Sequence, residues 1–148
     1  MSAGATWSII GVLIAATLWA FVTRTWVIGR LWGPVFRIAR GTASAALLSA
    51  LLYLAYMAIH CLAQYAVHTA FDGWLASTLS LAAAFAYAPV ALMALPDRGR
   101  GPYADLRREL EKAGATYRQA RASAWASGPL SFLGLSAALT PVFFVFVP

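Results

Sequence analysis

Four long apolar runs, separated by polar stretches, set the pattern of this chain. The first covers 5–22, the second 42–71, the third 74–95 and the fourth 130–147, and none of them contains a charged residue. A helix rises 1.5 Å per residue, so about 18–20 residues cross a hydrocarbon core of about 30 Å, and each run predicts a transmembrane helix. The second run would measure about 45 Å as a helix, which predicts tilt, a kink or protrusion from the bilayer.

The breaks between runs carry their own signals. Asp72-Gly73 is a turn dipeptide, and Asp72 is placed to cap the helix that follows, so the second and third runs read as a tight hairpin. Pro89 predicts a kink in the third run, and Thr140-Pro141 a bend in the fourth. Residues 24–40 interleave Trp26, Trp32, Val35, Phe36 and Ile38 with Arg24, Arg30, Arg37 and Arg40, and Gly33-Pro34 interrupts them. Tryptophan and arginine favour the headgroup zone, so this stretch is expected to lie as a loop along the membrane surface.

A longer polar insert occupies about 102–127, after Gly99, Gly101 and Pro102, with Pro102 suited to a first helical turn. Tyr103, Leu106, Leu110, Ala113, Tyr117, Ala120 and Ala124 recur at spacings of three and four, which predicts one amphipathic helix of about six turns. Arg107 and Glu111 are spaced to pair at i, i+4. The second half carries Lys112, Arg118 and Arg121 without an acid, and it is expected to rest on the membrane. The fold class that follows is an all-α integral membrane protein: one domain of four transmembrane helices, with a cytoplasmic amphipathic helix between the third and fourth.

Composition supports the membrane assignment. The 148 residues are 61% hydrophobic and 11% charged, where a soluble domain carries about 25% charged residues. The net charge is +6, and all eleven basic residues sit in the two polar stretches, at Arg24–Arg40 and at Arg98–Arg121, and not in a tail or a basic face. That distribution matches two cytoplasmic loops under the positive-inside rule, and it places both termini on the non-cytoplasmic side. It argues against nucleic acid as a partner. Ten arginines against one lysine, with abundant alanine, point to a bacterial inner membrane. Cys61 is the only cysteine, so no disulfide forms within the chain.

Candidate chemistry is sparse. Ser49, Tyr53, Tyr56, His60, Gln64 and His68 follow one another at steps of three and four on the second run, so they share one helical face. Polar groups in hydrocarbon turn toward protein or water. Three uses are open: hydrogen bonds between helices, a hydrated path, or cofactor ligation. His60 and His68 are separated by about 12 Å along a helix and cannot ligate one ion together. A haem would need a histidine from each of two subunits or a partner's ligand. No cofactor or metal is therefore expected.

Small residues recur every four positions at Ala76, Ser80, Ala84 and Ala88, at Gly41, Ala45 and Ser49, and at Gly134 and Ala138, a spacing that lets helices approach closely. No hydrolase, metalloprotease or phosphate-loop motif occurs, so no catalytic residues are assigned and the protein is expected not to be an enzyme. The insert's Leu106, Leu110, Ala113 and Tyr117 are candidates for an interface. Arg24, Arg30, Arg37, Arg40, Lys112, Arg118 and Arg121 are candidates for lipid headgroup contact. The function expected is that of a small accessory subunit assembling with other membrane chains. The alternatives are a homo-oligomeric channel or pore lined by the polar stripe and, further off, a haem- or quinone-binding redox subunit.

Overall fold

The structure is a computed structural model that describes the backbone of residues 3–93 and 103–146 and the side chains of 7–93 and 103–139. The end of the third run at 94–95, the start of the insert, the side chains of Thr140-Pro141 and the last residue of the fourth run lie outside those limits. The described residues form five helices and no strand: α1 Ala3–Ile38, α2 Thr42–Ala70, α3 Gly73–Ala91, α4 Ala104–Lys112 and α5 Tyr117–Phe146. Among the described residues three stretches are long and apolar enough to cross a membrane: Trp7–Ile38, Thr42–Ala70 and Gly73–Ala91.

Two expectations about the polar stretches are overturned. Residues 24–38 are not a surface loop but the continuation of α1, with Pro34 inside the helix. The reason is a buried row at four-residue spacing, Ala20, Arg24, Ile28, Trp32 and Phe36, which packs on the rest of the bundle while Pro34 faces out. Burying Ile28, Trp32 and Phe36 is worth about 1.5–3 kcal/mol per side chain, enough to offset the roughly 3 kcal/mol that a helical proline costs.

The insert, in turn, is not one helix. α4 ends at Lys112, and Gly114 takes a φ of +103° that a side chain rarely tolerates. The chain then restarts through a reciprocal cap: Gln119 Oε1 accepts the Thr116 N–H at 3.0 Å, and Thr116 Oγ1 lies 3.4 Å from the Gln119 N–H. From there α5 runs without interruption through Gly128-Pro129, so the second half of the expected insert helix is the first part of α5.

The helices differ in length, and this shapes the molecule. α3 has 19 residues, about 28 Å, close to the hydrocarbon thickness. α1, α2 and α5 have 36, 29 and 30 residues, about 54, 44 and 45 Å, and extend well beyond it. α3 ends where Pro89 and Leu92 meet Arg24. Past that level α4 takes a place beside α1 and α5, with the Ala113 carbonyl 3.5 Å from where a β-carbon on Gly33 would sit. The bundle therefore has two stacked parts, α1–α2–α3–α5 and α1–α2–α4–α5, with a single core running from Tyr87 and Tyr53 through Ile28 and Trp32 to Leu106 and Leu110. Apart from Asp72, every charged residue with a described side chain lies at or beyond the level of Arg24.

Candidate functional site: an inward polar row and a charged pocket at Arg24

The polar row of α2 turns into the bundle at its centre. Ser49 and Tyr53 have no exposed surface and His60 has almost none; Tyr56 and Gln64 are half-buried, and His68 is exposed at the end of the row. Each part of the row engages a neighbouring helix. Trp32 Nε1 donates to Ser49 Oγ at 2.7 Å, and the Ser49 hydroxyl shares a 2.9 Å hydrogen bond with Ser127, so one serine ties α1, α2 and α5 together. Further along, the hydroxyls of Tyr53 and Tyr87 converge on Gly134, the only residue type that leaves room for both. The His60 ring stacks on Tyr87.

The far end of the row is joined to α3 through Ser80. Gln64 Nε2 donates to the Ser80 carbonyl at 3.0 Å, the Ser80 hydroxyl donates to Gln64 Oε1, and His68 Nε2 lies 3.0 Å from the same hydroxyl. The small-residue spacing has a clear use here: Ala76, Ser80, Ala84 and Ala88 are all buried, which brings α3 close to its neighbours. Asp72 stands at the N-cap of α3 but makes no side-chain capping bond.

The expected interface face of the insert is divided. Leu106 and Leu110 are fully buried in the chain's own core, whereas Ala113 is half-buried and Tyr117 is 55% exposed. α4 is held to α5 by aromatic contacts: the Tyr103 ring sits on Gly128 and meets Trp125 edge-on at 5.5 Å, and the Arg107 guanidinium lies 4.9 Å from the centre of the Tyr117 ring.

Of the residues expected at lipid headgroups, Arg30, Arg37, Arg40, Lys112, Arg118 and Arg121 are exposed, and Arg24 is not. Arg24 is 6% exposed and faces a polar cavity of about 320 Å³ between α1 and α4. Asp105, Arg108, Glu109 and Lys112 line the opposite wall, with Phe21 and Thr25 beside Arg24. The two carboxylates are engaged on their own helix, Asp105 by Arg108 and Glu109 by Lys112 at 2.8 Å. Arg24 Nε and Nη2 are buried without a hydrogen-bond partner. Burial pushes the Glu109 carboxyl up, but Lys112, Thr25 and Arg24 together outweigh that and hold it below the usual glutamate range.

This pocket was not legible as a site in the sequence, where Arg24 reads as the first of four surface arginines. The signal that could have found it is the four-residue row in which Arg24 stands between Ala20 and Ile28. Comparison with protein-family models, with curated proteins and with solved structures finds no match to this chain.

Proposed function

We propose that this chain is a non-enzymatic membrane subunit that works by assembling with other membrane chains. α5 supplies a fourth crossing, the charged half faces the cytoplasm, and both termini lie on the opposite side of a bacterial inner membrane. The observation that carries the reading is exposed apolar surface on α2 past the level where α3 ends. Trp32 and Ser49 touch, so they share a level, and that level is about 12 Å past Arg24, where α3 has ended. There α2 exposes Leu47 and Leu51, at 61% and 51%, and a hydrocarbon layer as deep as α3 is long would leave them uncovered. Apolar surface outside hydrocarbon marks a contact surface for another chain.

The direction of the polar row supports the same reading over a pore. Ser49, Tyr53 and His60 meet neighbouring helices of their own chain, where hydrogen bonds between helices contribute about 0.6 kcal/mol each, and a pore between subunits would need them on the outer surface. Native mass spectrometry of the gently solubilised complex tests the proposal. Different chains should accompany this one, and Leu47→Glu together with Leu51→Glu should release them. A chain that is monomeric in native membranes, or a symmetric homo-oligomer with nothing else bound, overturns it.

A further inference from the structure

The cavity at Arg24 does not stand alone. A second, apolar cavity of about 70 Å³ lies between α1, α3 and α5, lined by Leu13, Ala16, Phe85 and Leu92 among others. A narrow cleft bounded by Ala20, Phe21, Arg24, Pro89 and Leu92, too tight for a water molecule, lies between the two and shares Leu92 with the apolar cavity and Phe21 and Arg24 with the polar one. Leu13, Ala16, Ala20 and Arg24 follow at three- and four-residue steps, so a single face of α1 lines the apolar cavity, the cleft and the polar cavity in turn.

The length of this face and the chemistry at its two ends match one class of molecule, whose chain would lie along the groove and not inside a closed cavity. Leu13 to Arg24 spans about 16 Å along the helix, roughly half the hydrocarbon core and so the depth of one leaflet. The apolar end lies toward the bilayer centre. The charged end lies at the level where α3 stops, and the cationic group there is held within the protein instead of reaching out to water. The charges around the polar cavity are three cations, Arg24, Arg108 and Lys112, against two carboxylates, Asp105 and Glu109, which leaves one positive charge. Asp105 and Glu109 have cations on their own helix, while Arg24 Nε and Nη2, and Glu109 Oε2 across the cavity, lack hydrogen-bond partners, so the surplus positive charge sits in a cavity with unsatisfied donors on the Arg24 side. A buried guanidinium with unsatisfied donors calls for an anion, and its fork suits two oxygens of a phosphate.

We propose that the groove and the Arg24 pocket form one site for a single phospholipid with an anionic phosphodiester headgroup, its acyl chain against Leu13, Ala16, Phe85 and Leu92 and its phosphate on Arg24. A phosphodiester carries one negative charge, which balances the site. A zwitterionic headgroup brings an extra cation into a pocket whose carboxylates are already paired. The site is separate from the Leu47–Leu51 surface and stands whether or not that surface binds another chain.

The full-length protein in detergent, titrated with dioleoylphosphatidylglycerol or dioleoylphosphatidylcholine and followed by native mass spectrometry, tests this. Wild type should retain one phosphatidylglycerol per chain, with a preference over phosphatidylcholine of about tenfold or more, as expected of charge-assisted hydrogen bonds to a buried cation. Arg24→Gln should abolish the preference, and Ala16→Phe, which fills the groove, should weaken retention of both lipids. Arg118→Gln, on the exposed surface, should change neither. A preference that survives Arg24→Gln overturns the proposal. Competition by excess inorganic phosphate as effective as that by phosphatidylglycerol also overturns it, since the pocket would then take a free anion without a chain. Should Arg24→Gln lose its helical circular dichroism, Ala16→Phe decides alone, and unchanged lipid retention in that variant refutes the site.

Discussion

His60 and Tyr87 lie face to face, their ring centroids 4.4 Å apart and their planes 11° from parallel. The contact joins α2 to α3 in the middle of the bundle and assigns the imidazole a packing partner. Stacked aromatic pairs contribute about 0.5–1.5 kcal/mol beyond the area they bury. His60→Phe, which keeps a ring, should therefore melt within a few degrees of wild type in detergent, while His60→Ala should melt well below it. Equal melting of the two variants would show that the stack contributes nothing.

Ser49 links α2 to two other helices, since it accepts from Trp32 and bonds to Ser127. Ser49→Ala leaves the buried Trp32 N–H without an acceptor and should cost about 1–3 kcal/mol. In a double-mutant cycle with Trp32→Phe the two losses should fall short of additive, because the second change removes the donor that the first has orphaned. Additive losses in thermal unfolding would place no coupling between the two side chains.

Gly134→Ala should be among the more damaging small substitutions in the chain. A β-carbon there collides with the Tyr53 and Tyr87 hydroxyls, and overpacking of this kind costs about 1–3 kcal/mol. Tyr53→Phe removes one of the colliding oxygens and should recover part of the loss. No recovery in the Gly134→Ala, Tyr53→Phe double variant would mean that the hydroxyl is not the obstacle.

Glu109 predicts a sensitivity to acid. Its carboxyl is held below the ordinary glutamate range, so the stability it contributes is present in full above that range and is lost as the pH falls through the lowered folded value. Glu109→Gln should flatten the acid limb of a plot of melting temperature against pH and leave the neutral region less affected. An identical acid limb in the two proteins would remove Glu109 from the transition.

The proposed sidedness rests on the charge distribution and has a direct test. In a Cys61→Ser background, Asp72→Cys should react with an impermeant maleimide from outside the cell, and Arg118→Cys only after the membrane is opened. The reverse pattern would invert the topology.

The apolar runs of α2 and α3, the turn at Asp72-Gly73 and the inward face of the α2 row were legible because each depends on local quantities. Run length against bilayer thickness, a turn dipeptide and a helical period are properties of neighbouring residues. The close-packing role of Ala76, Ser80, Ala84 and Ala88 was legible for the same reason. The break at 113–116 was also written locally, in Gly114 and in the Thr116–Gln119 capping pair. It was masked by a three-and-four stripe that happens to continue in register from α4 into α5.

The path of residues 24–38 and the environment of Arg24 were decided elsewhere. Gly33-Pro34 and four arginines describe a surface loop when read alone. The stretch is helical because Ile28, Trp32 and Phe36 find a core made by α2, α4 and α5, and tertiary burial outweighs local propensity. Arg24 belongs to the same row and is carried inside with it, facing α4 from more than eighty residues away in sequence. That the chain is helical, belongs in a bilayer and turns one face of α2 inward is written in the order of its residues, because hydrophobicity and helical period act over a few turns. Which cation is buried, what it faces and where an apolar groove lies beside it depend on how helices of unequal length are stacked, and no local pattern carries that information.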